Sequence, residues 1–439
     1  MSWLHGMLAR SGEARSKHTA SNNLLRGLSM FCALFVVWGI VAACGSSSSA
    51  TTSNGKTVIT VLDHWPTEPS NTEVNKLFKQ YEQLHPNITI ERNAVPVGNL
   101  VAKADQEAAS HTLPSILMLD NPDMASFAST GVLSPLNSFM QGKYNTSDFY
   151  GGSLSTMTYN GKIYGFSVGN NDLALYYNKK LFTAAGLTPP ATWADLQADA
   201  KKLTSGNTYG LALSAAATEE GTWQFLPFFW SNKGDLKHVN NAQGVQALQL
   251  ITNMMKEGSI SKSALNWGQP DVLTQFEEGH AAMMVNGPWD LSVLDGLKTI
   301  DYGVVPVPVP QAGDKAISPL GGEDWTIPVA DPAKEQAAWN LLDWLEQPAQ
   351  ITQFDQINGY TPPLKSEGAA MVKADPELQV FATELNSAEA RTAEVGASYP
   401  TISQAMWTAE QSALTGSQSP QAALSTAQQK VDTTLQSQS

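Results

Sequence analysis

The sequence predicts an α/β protein of two lobes, with mixed sheets flanked by helices. Three observations carry that reading. Short strand-like apolar runs alternate with apolar residues at helical spacing, the βαβα order of an α/β chain. Helix-start signals recur in front of the helical runs. The chain has 439 residues, more than one compact domain usually needs, and its 42% apolar and 15% charged residues supply a large core.

Taken in order, the first segment reads as an address rather than fold. Arg10, Arg15, Lys17 and Arg26 precede an apolar run from Met30 to Ala43, broken only by Gly39. Fourteen residues are too few for a stable span of a bilayer roughly 30 Å thick, but suit a signal-peptide core. The run ends in Val41-Ala42-Ala43-Cys44-Gly45, which resembles the bacterial lipobox, so residues 1–43 are expected to be removed and Cys44 lipidated. Residues 44–56 then form a lipidated N-terminus and a Ser/Thr-rich linker. An ordinary N-terminal anchor with an incidental cysteine is the competing reading.

Beyond the linker, Val58 to Leu62 reads as a strand. Ser70-Asn71-Thr72-Glu73 has the form of a capping box, with Val74, Leu77, Phe78, Tyr81 and Leu84 at helical spacing until Pro86. Ile88 to Ile90 is the next strand, a helix follows around Leu100–Ala109, and Ile116 to Leu119 is a buried type of strand. Thr192 caps a helix whose face carries Trp193, Leu196, Ala200 and Leu203, and Asp331-Pro332 opens another with Ala338, Leu341, Leu342 and Leu345 inside. The valine–proline run Val304 to Pro310 suits a crossing between lobes, or alternatively an edge strand, because proline stays extended without donating ladder bonds.

Charge and cysteine usage narrow the function. Past residue 43 the chain carries 22 basic against 39 acidic residues, a net charge of −17. Phosphate backbones and anionic lipid surfaces would repel it, which excludes nucleic-acid binding and leaves the lipid anchor as the only membrane contact. The only cysteines are Cys32 and Cys44, so the exported part has no disulfide, thiolate metal site or cysteine nucleophile. No G-x-S-x-G, P-loop, H-E-x-x-H or G-x-G-x-x-G occurs, and His64, His85, His111, His238 and His280 lack metal-ligand spacing. The chain reads as a non-enzyme without cofactor or metal; a glycosidase, which needs only two carboxylates, remains the enzyme alternative.

Several motifs carry a resemblance. Leu113 to Asp120 and then Gly131-Val132-Leu133-Ser134-Pro135-Leu136, Leu175 to Phe182, Gly186 to Trp193, Gly279 to Met283 with Gly287-Pro288-Trp289, Tyr360 to Pro363, and Tyr399 to Ile402 follow one another in order. Together they resemble the family-1 extracellular solute-binding proteins of bacterial ABC transporters, the group of maltose- and other sugar-binding proteins. The departure is Gly321-Gly322-Glu323-Asp324-Trp325, where two acids follow the paired glycines. The resemblance implies a two-lobed periplasmic-binding-protein-like fold with a ligand cleft between the lobes. Residues 57–170 with 306–366 would form the N-terminal lobe, and 171–305 with 367–435 the C-terminal lobe. It also implies a monomer on the extracytoplasmic face of the cell membrane. There it would pass a small carbohydrate to the transmembrane subunits of an ABC permease.

Sugar chemistry then selects candidate site residues, since pyranose C–H faces bury on aromatic rings and hydroxyls need acids and amides. Trp65 follows the first strand, at the strand end where α/β sheets offer ligand contacts. The resemblance makes Trp289 the stacking residue. Trp223, Trp325 and Tyr360 fall on loop-like stretches, whereas Trp193, Trp339 and Trp344 sit at helical spacing and read as core. Among polar residues Asp120 ends a strand, Asn171 lies in Asn170-Asn171-Asp172 at the lobe junction, and Glu323 and Asp324 follow the double glycine. Each acid has the alternative reading of a solvated loop. An aromatic-plus-acid cleft in a chain this acidic also suits a polyamine-like cation, the runner-up ligand.

Overall fold

The structure, a computed structural model, describes residues 52–53, 55–374 and 378–437. The expected signal segment and Cys44 therefore lie outside the described residues.

The first sheet is built from β1 (Thr52–Ser53), β2 (Lys56–Asp63), β3 (Ile88–Ala94) and β4 (Ile116–Asp120). After a small hairpin of β5 (Thr158–Tyr159) and β6 (Lys162–Ile163), the chain adds β7 (Gly165–Ser167). β2 pairs in parallel with β3 and β4, and β1 pairs antiparallel with the start of β2. A late strand, β12 (Glu323–Thr326), inserts antiparallel between β4 and β7. The sheet is therefore mixed, as predicted. Its core gathers Ile59, Leu62, Leu117, Leu119, Phe166 and Trp339 under the helices Ser70–Leu84 and Pro332–Leu345.

The second sheet has three strands, β8 (Ala174–Asn178), β9 (Met283–Asn286) and β10 (Tyr302–Val305), with β8 central and both neighbours antiparallel. Both of its faces are buried, and the side chains sort with the two-residue period of a strand. Leu175, Met283 and Val285 join a core with the helices Glu219–Ser231, Ala242–Lys256 and Tyr399–Leu414. Ala174, Tyr176 and Met284 join another with Val272, Phe276, Leu291 and Phe381. A continuous apolar run such as Met283-Met284-Val285 is what two covered faces require.

Local signals fared unevenly. Thr192 forms a full capping box with Asp195, and Asp331 caps its helix by accepting from the Lys334 amide. The box expected at Ser70 is not formed. Ser70 already lies inside the helix and its hydroxyl donates to Asn358 at 2.6 Å, while Glu68 accepts the Thr72 amide at 3.1 Å instead. Val304 and Val305 belong to β10, Val307 is buried in the second core, and Val309 bridges Thr192.

Three stretches of chain meet between the sheets. Asn170 bridges Thr361, and Asn171 bridges Gly321, which follows β11 (Pro319–Leu320). β11 in turn pairs in parallel with β13 (Glu389–Ala390). Gly322, at φ +126°, passes so close to Gly169 that a Cβ there would stand 2.2 Å from its carbonyl oxygen. A Cβ on Gly321 would stand 2.0 Å from Asn171 Oδ1 and 2.4 Å from the Trp223 ring. The paired glycines thus let three backbones and an indole meet at one point.

Candidate functional site

β2 and β4 end, and antiparallel β12 begins, at the same edge of the first sheet. Asp120 is therefore the register partner of Glu323. The turn after β2 brings His64 to the same edge, with Nε2 3.0 Å from Glu323 Oε1. Burial on its own would lower the His64 pKa; the Glu323 carboxylate, helped by Asp63 and Asp120, outweighs it and raises the pKa. Tyr360, buried beside Glu323, has its phenol pushed well up, by burial first and then by that carboxylate. This turn is held from beneath. Arg92 Nε and Nη2 reach Asp63 at 2.5 and 2.7 Å, Nη2 reaches the Trp65 carbonyl at 2.7 Å, and Nη1 reaches Asn71 Oδ1 at 2.8 Å.

Opposite this edge lies the start of the helix Glu219–Ser231, where Glu219 and Glu220 precede Trp223 by one turn. Glu220 Oε2 accepts the Gln269 amide at 2.6 Å, and a Cβ on Gly98, in the helix Val97–Ala109, would stand 3.3 Å from Glu220 Oε1. Burial raises the Glu220 pKa, and its opponents include the His64 charge. Glu220 thus lies near His64 and the helix Val97–Ala109.

Arg391 joins the two sides. It emerges directly after β13, and its side chain is 2% exposed. Nη1 donates to Asp120 Oδ2 and to Glu219 Oε1, both at 2.7 Å. Nη2 donates to Asp120 Oδ1 and, at 3.1 Å, to Asn121 Oδ1. The guanidinium lies 4.3 Å from the centre of the Trp223 ring and 5.9 Å from that of Tyr399. Tyr399 donates to Glu219 Oε1 at 2.7 Å, and Ser403 donates to Oε2. Burial would lower the Arg391 pKa, but Asp120 and Glu219 hold it above the usual range. Glu219 is raised by burial, against the pull of Arg391.

The candidate residues divide. Asp120, Glu323 and Tyr360 gather at the sheet edge, and Trp223 faces them through Arg391. Trp289 follows Gly287 in the 3-10 turn Pro288–Asp290, is half-buried, and packs against both the core of the first sheet and the core under the helices Glu219–Ser231 and Tyr399–Leu414. Its indole folds over Gly287, where a Cβ would stand 2.1 Å from the ring. Asn171 sits at the crossing, paired in both directions with Gly321. Trp223, read as a loop residue, lies in the helix Glu219–Ser231, and Trp65 and Trp325 belong to the first core. Trp325 lies inside β12 rather than on a loop, and both indoles are buried in the first core, edge-on at 5.8 Å. Trp65 also meets Phe354 at 4.6 Å. Alternation along β12 turns Asp324 to the other face, where it is fully buried and pushed well up by burial and by Asp120 and Glu323.

Sequence reasoning missed Arg391, Glu219, Glu220 and His64's pairing with Glu323. One signal was available: past residue 26 the chain has only two arginines, Arg92 and Arg391, among many lysines. Both hold a carboxylate bidentately, a geometry lysine cannot supply. An open cavity of about 590 Å³ lies elsewhere, at the opposite end of the same strands among Val58, Thr60, Leu113, Val132 and Ile327.

Residues 76–380 match the family model described as bacterial extracellular solute-binding protein. Among curated relatives, a chain of Brucella abortus named only for binding is 28% identical over 90% of this chain and 96% of its own length. The maltodextrin-binding protein of Bacillus subtilis is 25% identical over 89% of this chain and 91% of its own. A maltooligosaccharide ABC transporter solute-binding lipoprotein of Streptococcus pneumoniae is 26% identical over 73% and 76%. Among solved structures, the cyclic α-maltosyl-1,6-maltose-binding protein of Arthrobacter globiformis superposes with a TM-score of 0.70. It is 27% identical, over 87% of this chain and all of that one.

Proposed function

Because the chain belongs to the bacterial extracellular solute-binding proteins, we propose that it is the extracytoplasmic binding component of an ABC importer and captures a carbohydrate between its lobes. The observation that supports this most is the meeting of two polar edges at one place. His64, Asp120, Glu323 and Tyr360 stand on the first lobe and Glu219, Glu220 and Arg391 on the second, with Trp289 against both cores. Carboxylates and amides take paired sugar hydroxyls, and a half-buried indole takes a pyranose face. We assign Asp120, Glu220, Glu323, Tyr360 and Trp289 to ligand contact. Trp65, Trp325 and Asn171 support the edge and the crossing, and Trp223 acts through Arg391.

The polyamine-like reading is weaker, because the cation position between the acids and over the Trp223 ring is already filled by Arg391. The lobe division is proposed to fall where the three stretches meet, near residues 170, 320 and 361. We propose the second crossing near 320 because Val307 packs in the second core and Val309 exchanges backbone hydrogen bonds with Ala191 and Trp193. Cys44 is proposed to carry the lipid that keeps the protein at the membrane, a reading supported by the lipoprotein among its relatives. The working form is proposed to be a monomer that delivers its ligand to permease subunits.

A thermal-shift screen across malto- and galacto-oligosaccharides, monosaccharides and polyamines tests the reading. A ligand at a hundred times its Kd adds about 2.7 kcal/mol of stability. Stabilisation by a sugar supports the proposal; stabilisation by polyamines alone, or turnover of chromogenic glycosides, overturns it.

A further inference from the structure

We propose that Arg391 is the specificity-determining residue of the cleft: a built-in cation that occupies an aromatic-and-carboxylate cage and so reserves the remaining space for neutral solutes. The inference concerns the same site as the carbohydrate reading and rests on it for the solute, but its own test needs no sugar.

The cage would otherwise be a cation site. It offers the Asp120 carboxylate from the end of β4, the Glu219 carboxylate from the start of a helix, and the face of Trp223 one turn further on. A guanidinium or ammonium is drawn to such a combination by charge and by the ring quadrupole. Arg391 fills it from the chain itself. Both oxygens of Asp120 and one of Glu219 accept its Nη donors, and its guanidinium carbon lies 4.3 Å from the Trp223 ring centre.

Two further observations fit a placeholder sealed inside its cage. The side chain is 2% exposed, so water and outside cations are kept from the cage. Its Nε is buried without a hydrogen-bond partner among the described residues, so the guanidinium's hydrogen bonds there are all made through Nη1 and Nη2 to Asp120, Glu219 and Asn121. Arg391 is also delivered by position. β13 is tied to β11 in the crossing, so the guanidinium arrives beside Gly321 with an acid of each lobe in reach.

The test is chemical replacement. Wild type, Arg391→Ala and Arg391→Lys are each titrated calorimetrically with millimolar methylguanidinium, and with sodium chloride at equal ionic strength. Arg391→Ala should bind methylguanidinium saturably, at one per chain and with a Kd in the millimolar range or below. Wild type and Arg391→Lys should show no saturable binding, since each keeps a cation in the cage. If a sugar ligand is in hand, its affinity should fall in Arg391→Ala and recover with added methylguanidinium. Should Arg391→Ala not fold alone, recovery of a cooperative melt in methylguanidinium but not in sodium chloride supports the proposal, and no recovery overturns it. Equal binding of methylguanidinium by wild type and Arg391→Ala, or by neither, overturns it as well. Failure of every sugar to bind wild type would sink the carbohydrate reading and leave this result standing.

Discussion

Replacing Arg92 by Met should cost about 3–5 kcal/mol of stability, because it strands a buried carboxylate. Asp63 is fully buried, and among the described residues Arg92 supplies its counter-charge through Nε and Nη2 at 2.5 and 2.7 Å. The same guanidinium holds the Trp65 carbonyl and Asn71, so the variant also releases the turn that carries His64. Removing both charges should be gentler than removing one. In Asp63→Asn/Arg92→Met no ion remains buried, and the introduced carboxamide oxygen can still accept the Trp65 amide that Asp63 Oδ1 now accepts at 3.0 Å. We expect the double variant to lose only about 1–2 kcal/mol, a coupling of at least about 2 kcal/mol across the cycle. Urea unfolding of the four proteins measures this, and titration with ligand reports on the turn. Single and double effects that add within about 0.5 kcal/mol would refute the reasoning, since the two groups would then be acting independently.

Other outcomes follow from the same structure. Trp289→Ala should weaken ligand binding by about 2–4 kcal/mol, in the range of binding hot spots. Trp344→Ala, which loses a half-buried ring 5.4 Å from Tyr81, should lower the Tm and spare the affinity of the folded fraction; calorimetric titration and melting of both variants check the contrast. Burial pushes Glu384 up to about 7 from the usual carboxylate range, and burial and Glu384 together push up Asp172 near the crossing. A folded pKa above the unfolded one favours the fold at low pH, so this contribution is whole below about pH 4 and is lost as pH rises through 7. Glu384→Gln should therefore flatten the stability profile and gain about 3 kcal/mol at pH 8, as read by denaturant melts across pH. Cys44→Ala should move the protein from the membrane fraction to the soluble fraction on cell fractionation, and unchanged membrane association would remove the lipid anchor from the account.

Much of the fold was legible because its signals are local. Thr192-Trp193-Ala194-Asp195 carries its own capping box, and the run Ile116 to Leu119 is apolar because both faces of β4 are covered. What could not be read is set by contacts remote in sequence. Ser70 looks like a cap until Asn358, 288 residues on, takes its hydroxyl. Trp325 looks like a loop residue because β12 is four residues long, and only its pairing with β4 and β7 makes it a strand. Val304 to Pro310 has the composition of a linker, yet Val307 finds an apolar surface to bury against. The site divides in the same way. Asp120 and Glu323 could be named from strand ends, whereas Arg391 lies 271 residues from Asp120 in an ordinary Ala-Arg-Thr stretch. Its role follows from topology, with β13 laid beside β11, and no spacing rule brings those two strands together.

The central claim is that one solute is held by both lobes, and a single titration series tests it. The sugar found by screening is titrated calorimetrically into wild type, Glu323→Gln from the first lobe and Glu220→Gln from the second. The account predicts one site per wild-type chain and a loss in each variant of about 1.5–3 kcal/mol, the worth of a hydrogen bond to a charged group, or roughly ten- to a hundredfold in Kd. Wild-type affinity in either variant would mean that the solute touches one lobe alone, and would contradict capture between the two.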